Sequence, residues 1–472
     1  MAKLIPSCLV LACVSLLLPS EPSYDPWAWL VWGRELTGLE LDTTGGPSWK
    51  PLPVAFAALV APLSGLDEGV PAALWMAVTR AGALLGLALA FRLARRLAGG
   101  RPSTRLLAGF TAAAALALTP SWIRYAAHGS EAALAAALLL WAVERHLDGR
   151  GDHACLLGAL VCLMRPELFP LLAVYALLAW PTDPTRRPLI AGVLMLVPVA
   201  WIVPEWVGSG NPLDAGAQAR SEPSWSLSHA EVPWLSALVR AHDQAGLALE
   251  LLCLAAVAIA VKRRERAVLA LGVAALSVGV LFVLSTEAGF SGNARYVLAA
   301  LTLLCLLAGV GAARLVEVGL ERFGRVGAAA TIAITALVVV LHAGPRIERM
   351  GVEVGEVAER MELHRDLARA VDAVGGARAI VALGPATANR AFHTHLAWEL
   401  GVPIRRVELG RGRGVVFRSS RRAMAGPVRT GGRLPARRLA RVGSWDVFTA
   451  RSRHFHVPVR SGRMHQSRVV TR

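Results

Sequence analysis

Asp25 stands directly before Pro26 at the end of the first long apolar stretch, where a carboxylate could do chemistry. Held at a membrane surface beside the ring of Trp27, it could act as a general base that takes a proton from an acceptor hydroxyl. The same Asp-Pro pair is also a favoured helix start, with Asp at the N-cap and Pro at the first helical position. The two roles are compatible, because a capping carboxylate can present its second oxygen to a substrate.

Other ionisable residues favour structural roles. His128 has no His or Cys at ligand spacing, so we expect no metal site there. Arg165 and Glu167 flank a proline and indicate an ion pair at a helix break. Glu131 opens a helix, where its charge suits the positive end of the dipole, and we assign it a structural role. Arg80 lies within an apolar stretch, where a charge is costly, but its partner is not evident from the sequence.

The composition is that of a membrane protein with a basic tail. Hydrophobic residues make up 55% of the 472, charged residues make up 18%, and the mean hydropathy is +0.49. Soluble domains carry about 25% charged residues. The net charge of +17 is unevenly placed: residues 1–344 hold 25 Lys+Arg and 23 Asp+Glu, whereas residues 345–472 hold 25 and 10. We therefore expect no nucleic-acid partner, and the six cysteines, all within apolar runs, indicate neither disulfides nor a zinc motif.

About eleven apolar stretches are candidates for transmembrane helices, since about 20 apolar residues cross a bilayer as a helix. They lie near residues 4–20, 70–92, 105–119, 131–146, 153–164, 168–181, 188–206, 245–262, 266–285, 295–312 and 325–342. We expect the first to be a retained helix rather than a cleaved signal peptide. The short pair at 153–164 and 168–181 could form one kinked helix or a re-entrant pair.

The Lys and Arg residues of the short loops predict the orientation. An N-terminus inside the cell places 17 of them on the inner face and seven on the outer face. An odd number of spans then places the tail, residues 345–472, outside. A miscount by one span would place it in the cytoplasm.

Two long outer segments, residues 21–69 and 207–244, are rich in Trp and acids. In the first, which we call the aromatic loop, the spacing from Trp27 to Leu36 predicts a short helix with its rings at headgroup depth, and residues 54–63 predict a second helix. In the tail we expect a solvated helix over 345–374, strands at 377–383 and 444–448, and a small, partly disordered α/β domain. The many Arg residues after position 401 indicate either a solvated segment or attraction to anionic lipids or glycans.

The order of these features resembles the bacterial polytopic glycosyltransferases of the GT-C fold. The matching elements are Asp25 after an apolar span, the aromatic loop with Trp49-Lys50-Pro-Leu-Pro, Gly129-Ser-Glu131, Met164-Arg165-Pro-Glu167, Gly210-Asn-Pro-Leu followed by Gln218-Ala-Arg220, and Asn293-Ala-Arg295-Tyr296. Terminal arabinofuranosyltransferases of the mycobacterial cell wall look most similar. The resemblance covers roughly residues 1–345. It implies an all-α polytopic membrane protein of GT-C type with about eleven transmembrane helices, residues 1–344, followed by a small C-terminal α/β extracytoplasmic domain, residues 345–472.

The resemblance also implies an activity of the EC 2.4 class. Such enzymes pass a sugar from a polyprenyl-phosphate donor to a hydroxyl of an envelope glycan, lipid or protein, with inversion. Asp25 would be the catalytic base, and Arg220, Arg295 and Lys50 would stabilise the departing phosphate. Trp27 and Asp42 would complete the substrate site, although Glu35 and Glu40 are rival second acids.

The family resemblance leaves several alternatives open. Arabinofuranose is the sugar it indicates, but mannose or another hexose is not ruled out. No cofactor is implied, although a divalent cation could take part. The rival interpretation is a transporter or lipid flippase, but we find no paired halves in the sequence. We expect a multi-pass protein of the bacterial inner membrane, in contact with membrane lipids.

Overall fold

The computed structural model describes residues 1–180, 184–221, 226–409, 414–421 and 437–449. Within them the chain is mainly helical. The helices are α1 (Leu4–Ser15), α2 (Tyr24–Thr37), α3 (Pro51–Val60), α4 (Val70–Ala98), α5 (Pro102–Ala117), α6 (Trp122–Ala127), α7 (Ala132–Leu147), α8 (Gly151–Cys162), α9 (Phe169–Ala179), α10 (Arg187–Ser209), α11 (Asp214–Arg220), α12 (Pro233–Ala245), α13 (Leu247–Arg263), α14 (Arg266–Glu287), α15 (Ala294–Ala373), α16 (Gly376–Leu383) and α17 (His393–Glu399).

All eleven predicted apolar stretches are helical. In the part of the chain that the structure describes, four helical segments are long and apolar enough to cross a membrane: α4, Pro184–Ser209, α14 and α15. Helices α12 and α13, bent by 89° at Gly246, would make a fifth span if they are counted together. Helices α1, α5, α7, α8 and α9 are shorter, with 11 to 16 residues each.

Arg80 and Arg165 are two buried cations among these helices, and each lies beside the end of a helix. Arg80 of α4 donates to the carbonyl oxygens of Ser15 and Pro19, so its charge lies against the C-terminal end of α1. Arg165 lies at the break between α8 and α9, where the chain makes a single 3-10 turn over residues 166–168. The break predicted around Arg165 is therefore present.

Helix α15 joins the membrane part to the C-terminal part. It is interrupted at Phe323 and Gly324, where Gly324 has a φ of +58° that glycine adopts readily. The two halves then approach closely: a Cβ on Gly327 would lie 2.3 Å from the carbonyl oxygen of Gly319. The second half runs without interruption through residue 344, so the predicted domain boundary lies inside a helix.

The C-terminal part forms a small α/β unit, as predicted. Its five strands are β1 (Ala386–Ala388), β2 (Val407–Leu409), β3 (Val415–Ser419), β4 (Arg437–Val442) and β5 (Trp445–Thr449), in the sheet order β2-β1-β3-β5-β4. β1 is parallel to β2 and β3, and β5 is antiparallel to β3 and β4. The predicted strand near 445 is confirmed.

The strand predicted over residues 377–383 is wrong, because this segment is helix α16. The segment is rich in Ala and buries only Ile380 deeply, which suits a helix with one packed face. The strand β1 follows after Gly384 and Pro385. Helix 345–374 is also less solvated than expected, since Leu363 and Leu367 are buried in the core of the C-terminal unit.

The C-terminal unit packs directly on the aromatic loop. Arg34 of α2 donates to the carbonyl oxygens of Trp398 and Val402, and Thr394 Oγ1 donates to the carbonyl oxygen of Tyr24 at 2.8 Å. The loop and the unit therefore lie on the same side of the helical bundle.

The tryptophan rings of the aromatic loop are buried by other parts of the protein, and their predicted headgroup depth stays a prediction. Trp29 packs edge-on against Trp75 with ring centroids 5.4 Å apart, and Trp32 lies 5.8 Å from Trp49. Trp27 stacks on His395 of α17 at 4.3 Å. Trp27 is therefore buried against the C-terminal unit, Trp29 against α4, and Trp32 against the loop itself.

Candidate active site

Asp25 lies in the first turn of α2 and faces the first turn of α15. Helix α2 begins two residues earlier than expected, with Ser23 at the N-cap position, so the capping role predicted for Asp25 is wrong. Its Oδ2 lies 2.5 Å from Nη1 of Arg295. Arg295 is placed by Asn293, whose side chain caps α15 by accepting from the Arg295 backbone N–H at 3.2 Å. The two helix starts thus bring a carboxylate and a guanidinium together.

A fully buried carboxylate, Glu131, lies at the centre of a group of cations. Lys50 Nζ donates to Glu131 Oε1, and Arg165 Nη2 lies 3.2 Å from the same oxygen. Lys50 and Arg165 are 6% and 4% exposed, and Glu131 is 0% exposed. Such charges are tolerated in a protein interior only when they are paired.

Local geometry explains why Glu131 can reach this position. Gly129 has a φ of +66°, and a Cβ there would lie 2.7 Å from Sδ of Met76. Its carbonyl oxygen accepts from Trp75 Nε1 at 2.7 Å. The glycine therefore allows a tight turn against α4, and Glu131 follows just before α7.

The cations outnumber the carboxylates in this group. With Arg390 and Glu167, which also line the adjoining cavity, four cations (Lys50, Arg165, Arg295 and Arg390) face three carboxylates (Asp25, Glu131 and Glu167), which leaves one positive charge in excess. Nε of Arg295 and both Nη atoms of Arg165 are buried without hydrogen-bond partners among the described residues. Both guanidinium groups also lie over the ring of Tyr296, at 5.4 and 5.2 Å. The surplus charge and the free donors suit an anionic ligand such as a phosphate.

A cavity of about 480 Å³ opens beside this group, within the range of small-molecule sites. Asp25, Lys50, Arg165 and Arg295 all line it. Tyr24 lines it too, and burial raises the pKa of its phenol to about 12, so this hydroxyl stays protonated. The arrangement combines a carboxylate that can accept a proton with cations that can hold a leaving anion.

A second cavity of about 670 Å³ lies next to the first, and the two share Leu168 and Val278 as lining residues. Side chains of α7, α8, α9 and α14 line it, and most of them are apolar. The cavity with the charged residues therefore adjoins an apolar cavity. This arrangement suits a ligand with a charged head and a hydrocarbon chain.

The structure brings only some of the predicted site residues together. Asp25, Lys50 and Arg295 line the cavity, whereas Arg220 is exposed at its edge with its guanidinium 5.6 Å from the Phe290 ring centroid. Trp27 is buried against His395, and Asp42 accepts from Thr44 and pairs with Arg405 at 2.5 Å. We therefore place Trp27 and Asp42 outside the cavity.

Three residues of the cavity region were not predicted as site residues. Glu131 was assigned a structural role, and Arg165 was assigned to a local pair with Glu167, which lies 3.7 Å away. Arg390 reaches the cavity from the C-terminal unit, with its guanidinium 5.8 Å from the ring centroid of Tyr24. The helix break at Arg165-Pro166 was a usable signal, but contacts made across the chain were not visible in the sequence.

Two crystal structures of ArnT from Cupriavidus metallidurans share this architecture. The one bound to undecaprenyl phosphate is 15% identical, covers 95% of this chain and 97% of ArnT, and has a TM-score of 0.55. The apo structure is 16% identical, with the same coverage and a TM-score of 0.52. The chain has the fold of ArnT.

This match confirms the predicted GT-C-type membrane fold with a small C-terminal α/β unit. The match to ArnT covers 95% of the chain, so it extends beyond residues 1–345, to which the sequence resemblance is confined. No family model matches the sequence, and no curated protein matches it. The special similarity to arabinofuranosyltransferases stays a prediction.

Proposed function

We propose that the chain is an integral membrane glycosyltransferase of the EC 2.4 class that transfers a sugar from a polyprenyl-phosphate donor to a hydroxyl of a cell-envelope glycan, lipid or protein, with inversion. The observation that carries the proposal is the cavity in which the Asp25 carboxylate lies beside the three cations Lys50, Arg165 and Arg295. The fold shared with ArnT, which has been crystallised with undecaprenyl phosphate, supports the donor class.

Asp25 acts as the general base. One carboxylate oxygen lies against Arg295, and the other is available to accept the proton of an acceptor hydroxyl as that oxygen attacks the anomeric carbon. In an inverting displacement the attacking oxygen and the leaving phosphate lie on opposite sides of that carbon. Arg295 touches Asp25, so the phosphate would bind on the side of Arg295 that faces Lys50 and Arg165, and the acceptor hydroxyl on the side of Asp25 that faces away from Arg295.

Arg295, Lys50 and Arg165 stabilise the phosphate as negative charge develops on it. The free donors of Arg295 and Arg165 supply directed hydrogen bonds, and Glu131 holds Lys50 and Arg165 in place before the donor binds. Arg220 at the cavity edge contributes a weaker, solvent-screened attraction to the approaching phosphate.

The apolar cavity accommodates the start of the polyprenyl chain. Because the two cavities share Leu168 and Val278 as lining residues, we place the phosphate in the polar cavity on the side of these two residues. We place the protein in the bacterial inner membrane with its N-terminus in the cytoplasm, and the aromatic loop and residues 345–472 outside, where envelope acceptors are found. A reporter fused to the C-terminus tests this topology, and reporter activity only in the cytoplasm would overturn it.

Purified full-length protein in liposomes should transfer label from one member of a panel of polyprenyl-phosphate sugars to an envelope acceptor fraction. The panel contains arabinofuranose, which the sequence resemblance indicates, together with mannose and other hexoses. Assays with EDTA and with added Mg²⁺ or Mn²⁺ determine whether a divalent cation takes part. Movement of a labelled lipid across the bilayer, with no transfer or hydrolysis from any donor, would instead establish a flippase.

A further inference from the structure

Two histidines and a glutamate converge between the aromatic loop and the C-terminal unit, outside the cavity. His364 of α15, His395 of α17 and Glu21, which precedes α2, each offer a ligand atom within 4.8 Å of the others. His364 and His395 are 2% and 3% exposed. The three residues are separated by up to 374 positions in the sequence, so only the tertiary fold assembles them.

The distances suit a tetrahedral metal. Nδ1 of His364 lies 2.8 Å from Nδ1 of His395 and 3.2 Å from Oε1 of Glu21. Zinc bonds of about 2.0–2.1 Å to nitrogen and oxygen place tetrahedral ligand atoms about 3.3 Å apart. A small closure or opening of the cluster would therefore admit the ion without rearranging the chain.

The outer contacts orient these side chains toward a common centre. His395 Nε2 lies 2.9 Å from Oε1 of Glu399, so the N–H of the neutral ring points to Glu399 and the lone pair of Nδ1 points into the cluster. A carboxylate behind a ligating histidine is the usual support of zinc-bound imidazole. Glu21 is in turn held by Trp27, whose Nε1 donates to Oε1 at 3.3 Å.

Hydrogen bonds alone do not account for the cluster. Nδ1 of His364 lies near both Nδ1 of His395 and Oε1 of Glu21, but in a neutral ring this nitrogen carries at most one proton and can donate to only one of the two. The rings of Trp27 and Phe392 pack on the histidines at 4.3 and 4.6 Å, which shields the centre from solvent. This is the environment of a metal site rather than of a solvated pair.

We propose that Glu21, His364 and His395 bind one Zn²⁺, with water in the fourth position, and that the ion fastens the C-terminal unit to the start of α2. Its ligand Glu21 lies four residues before Asp25 in the sequence, and its ligand His395 follows Thr394, which contacts Tyr24. It would therefore fix the end of α2 that carries the candidate base. The proposal is independent of the transferase activity, because metal binding is measured on the protein itself.

The test is the zinc content of full-length protein in detergent, after exposure to Zn²⁺ and desalting, measured by mass spectrometry. We expect about one zinc per chain, a Co²⁺ derivative with the intense visible absorption of a four-coordinate site, and X-ray absorption with two imidazoles and light-atom ligands. Wild-type protein that retains no stoichiometric zinc, or that binds Co²⁺ in octahedral form, would overturn the proposal.

The variants His364→Gln and His395→Gln should each lose the bound zinc. The matched control is His393→Gln: His393 is equally buried on α17, but its Nε2 lies 2.7 Å from the Val407 carbonyl oxygen and not in the cluster. This variant should retain zinc, and equal zinc content in all three would contradict the site.

Glu399→Gln keeps all three ligands, so it tests the site even if the histidine variants misfold. It should weaken zinc affinity by about 10–100-fold in competition with a chelator, as expected for loss of an outer carboxylate. An unchanged affinity in this variant would argue against His395 as a ligand.

Discussion

Two of the three aspartates in the aromatic loop, Asp25 and Asp42, have opposite surroundings. Asp25 faces the membrane helices, pairs with Arg295 and lines the polar cavity. Asp42 faces the C-terminal unit, pairs with Arg405 and is held by Thr44. Both are acids of the same loop, so loop position does not decide which one can accept a proton from a substrate. The partner and the adjoining space decide it.

The largest effect should come from Asp25→Asn. The amide still accepts from Arg295 but cannot take a proton, so we expect transfer to fall by about 10²–10⁴-fold with little change in stability. The rate of label transfer from the active donor measures this effect.

The matched control is Asp42→Asn, which should leave the transfer rate nearly unchanged because its side chain does not line the cavity. Equal losses in the two variants would abolish the distinction between the two aspartates. Retained transfer in Asp25→Asn would remove Asp25 as the base.

The next largest effect should come from Glu131→Gln, which removes the carboxylate that holds Lys50 and Arg165. In Glu131→Gln, Lys50 and Arg165 lose the buried carboxylate that compensates them, and we expect a loss of about 3–5 kcal/mol in the free energy of unfolding. Undecaprenyl phosphate should restore part of it, because its phosphate supplies the missing negative charge. The rise in melting temperature on adding this lipid should therefore be larger in the variant than in wild type.

Glu317→Gln is the control for that lipid effect. Glu317 is also buried and paired, with Arg314 at 2.9 Å, but it lies 22 residues after Arg295 on α15, about 33 Å along the helix. This variant should be destabilised without gaining an extra response to undecaprenyl phosphate. Equal lipid responses in both variants would show that the phosphate does not bind near Glu131.

The sequence predicted the fold and part of the cavity because these depend on local patterns. Hydrophobic stretches of membrane-spanning length give the helices directly, and the outer positions of Asp25, Lys50 and Arg295 follow from where those stretches end. These three residues stand at or near helix starts, which is a feature that the sequence displays through Pro26, Pro51 and Asn293.

The contacts that the sequence did not predict join distant segments. Glu131 meets Lys50 across 81 positions, and its position at a helix start was equally consistent with a dipole interaction. Trp27 was expected in lipid headgroups because the C-terminal unit that covers it lies more than 360 residues later. The segment 377–383 was predicted as a strand, whereas its packing on one face, through Ile380, favours a helix.

A smaller effect should come from Glu35, one of the two glutamates between Asp25 and Asp42. Its Oε2 accepts from the Asp42 backbone N–H at 3.0 Å, and burial raises the pKa of its carboxyl to about 7. Since the fold holds this proton more tightly than the unfolded chain, wild-type stability should fall as the pH rises from about 4.5 to about 7 and then level off. Glu35→Gln should remove this fall and be more stable at pH 8, by about 1–3 kcal/mol.

The difference between wild type and Glu35→Gln, followed by unfolding in detergent from pH 4.5 to 8, isolates this carboxyl from other titrating groups. Parallel curves for the two proteins would show that Glu35 has an ordinary pKa. Transfer activity should be unaffected, which would also exclude Glu35 as the second acid of the site.

The smallest effect should come from the pair of Asp42 and Arg405. The Arg405 side chain is 63% exposed, so solvent screens the attraction and the pair should contribute at most about 1 kcal/mol. Asp42→Asn, Arg405→Met and the double variant, compared by their free energies of unfolding, give the coupling between the two side chains. A coupling well above this value would mean that Asp42 is a principal attachment of the C-terminal unit, and Asp42 would then act on the cavity by positioning α2 rather than by chemistry of its own.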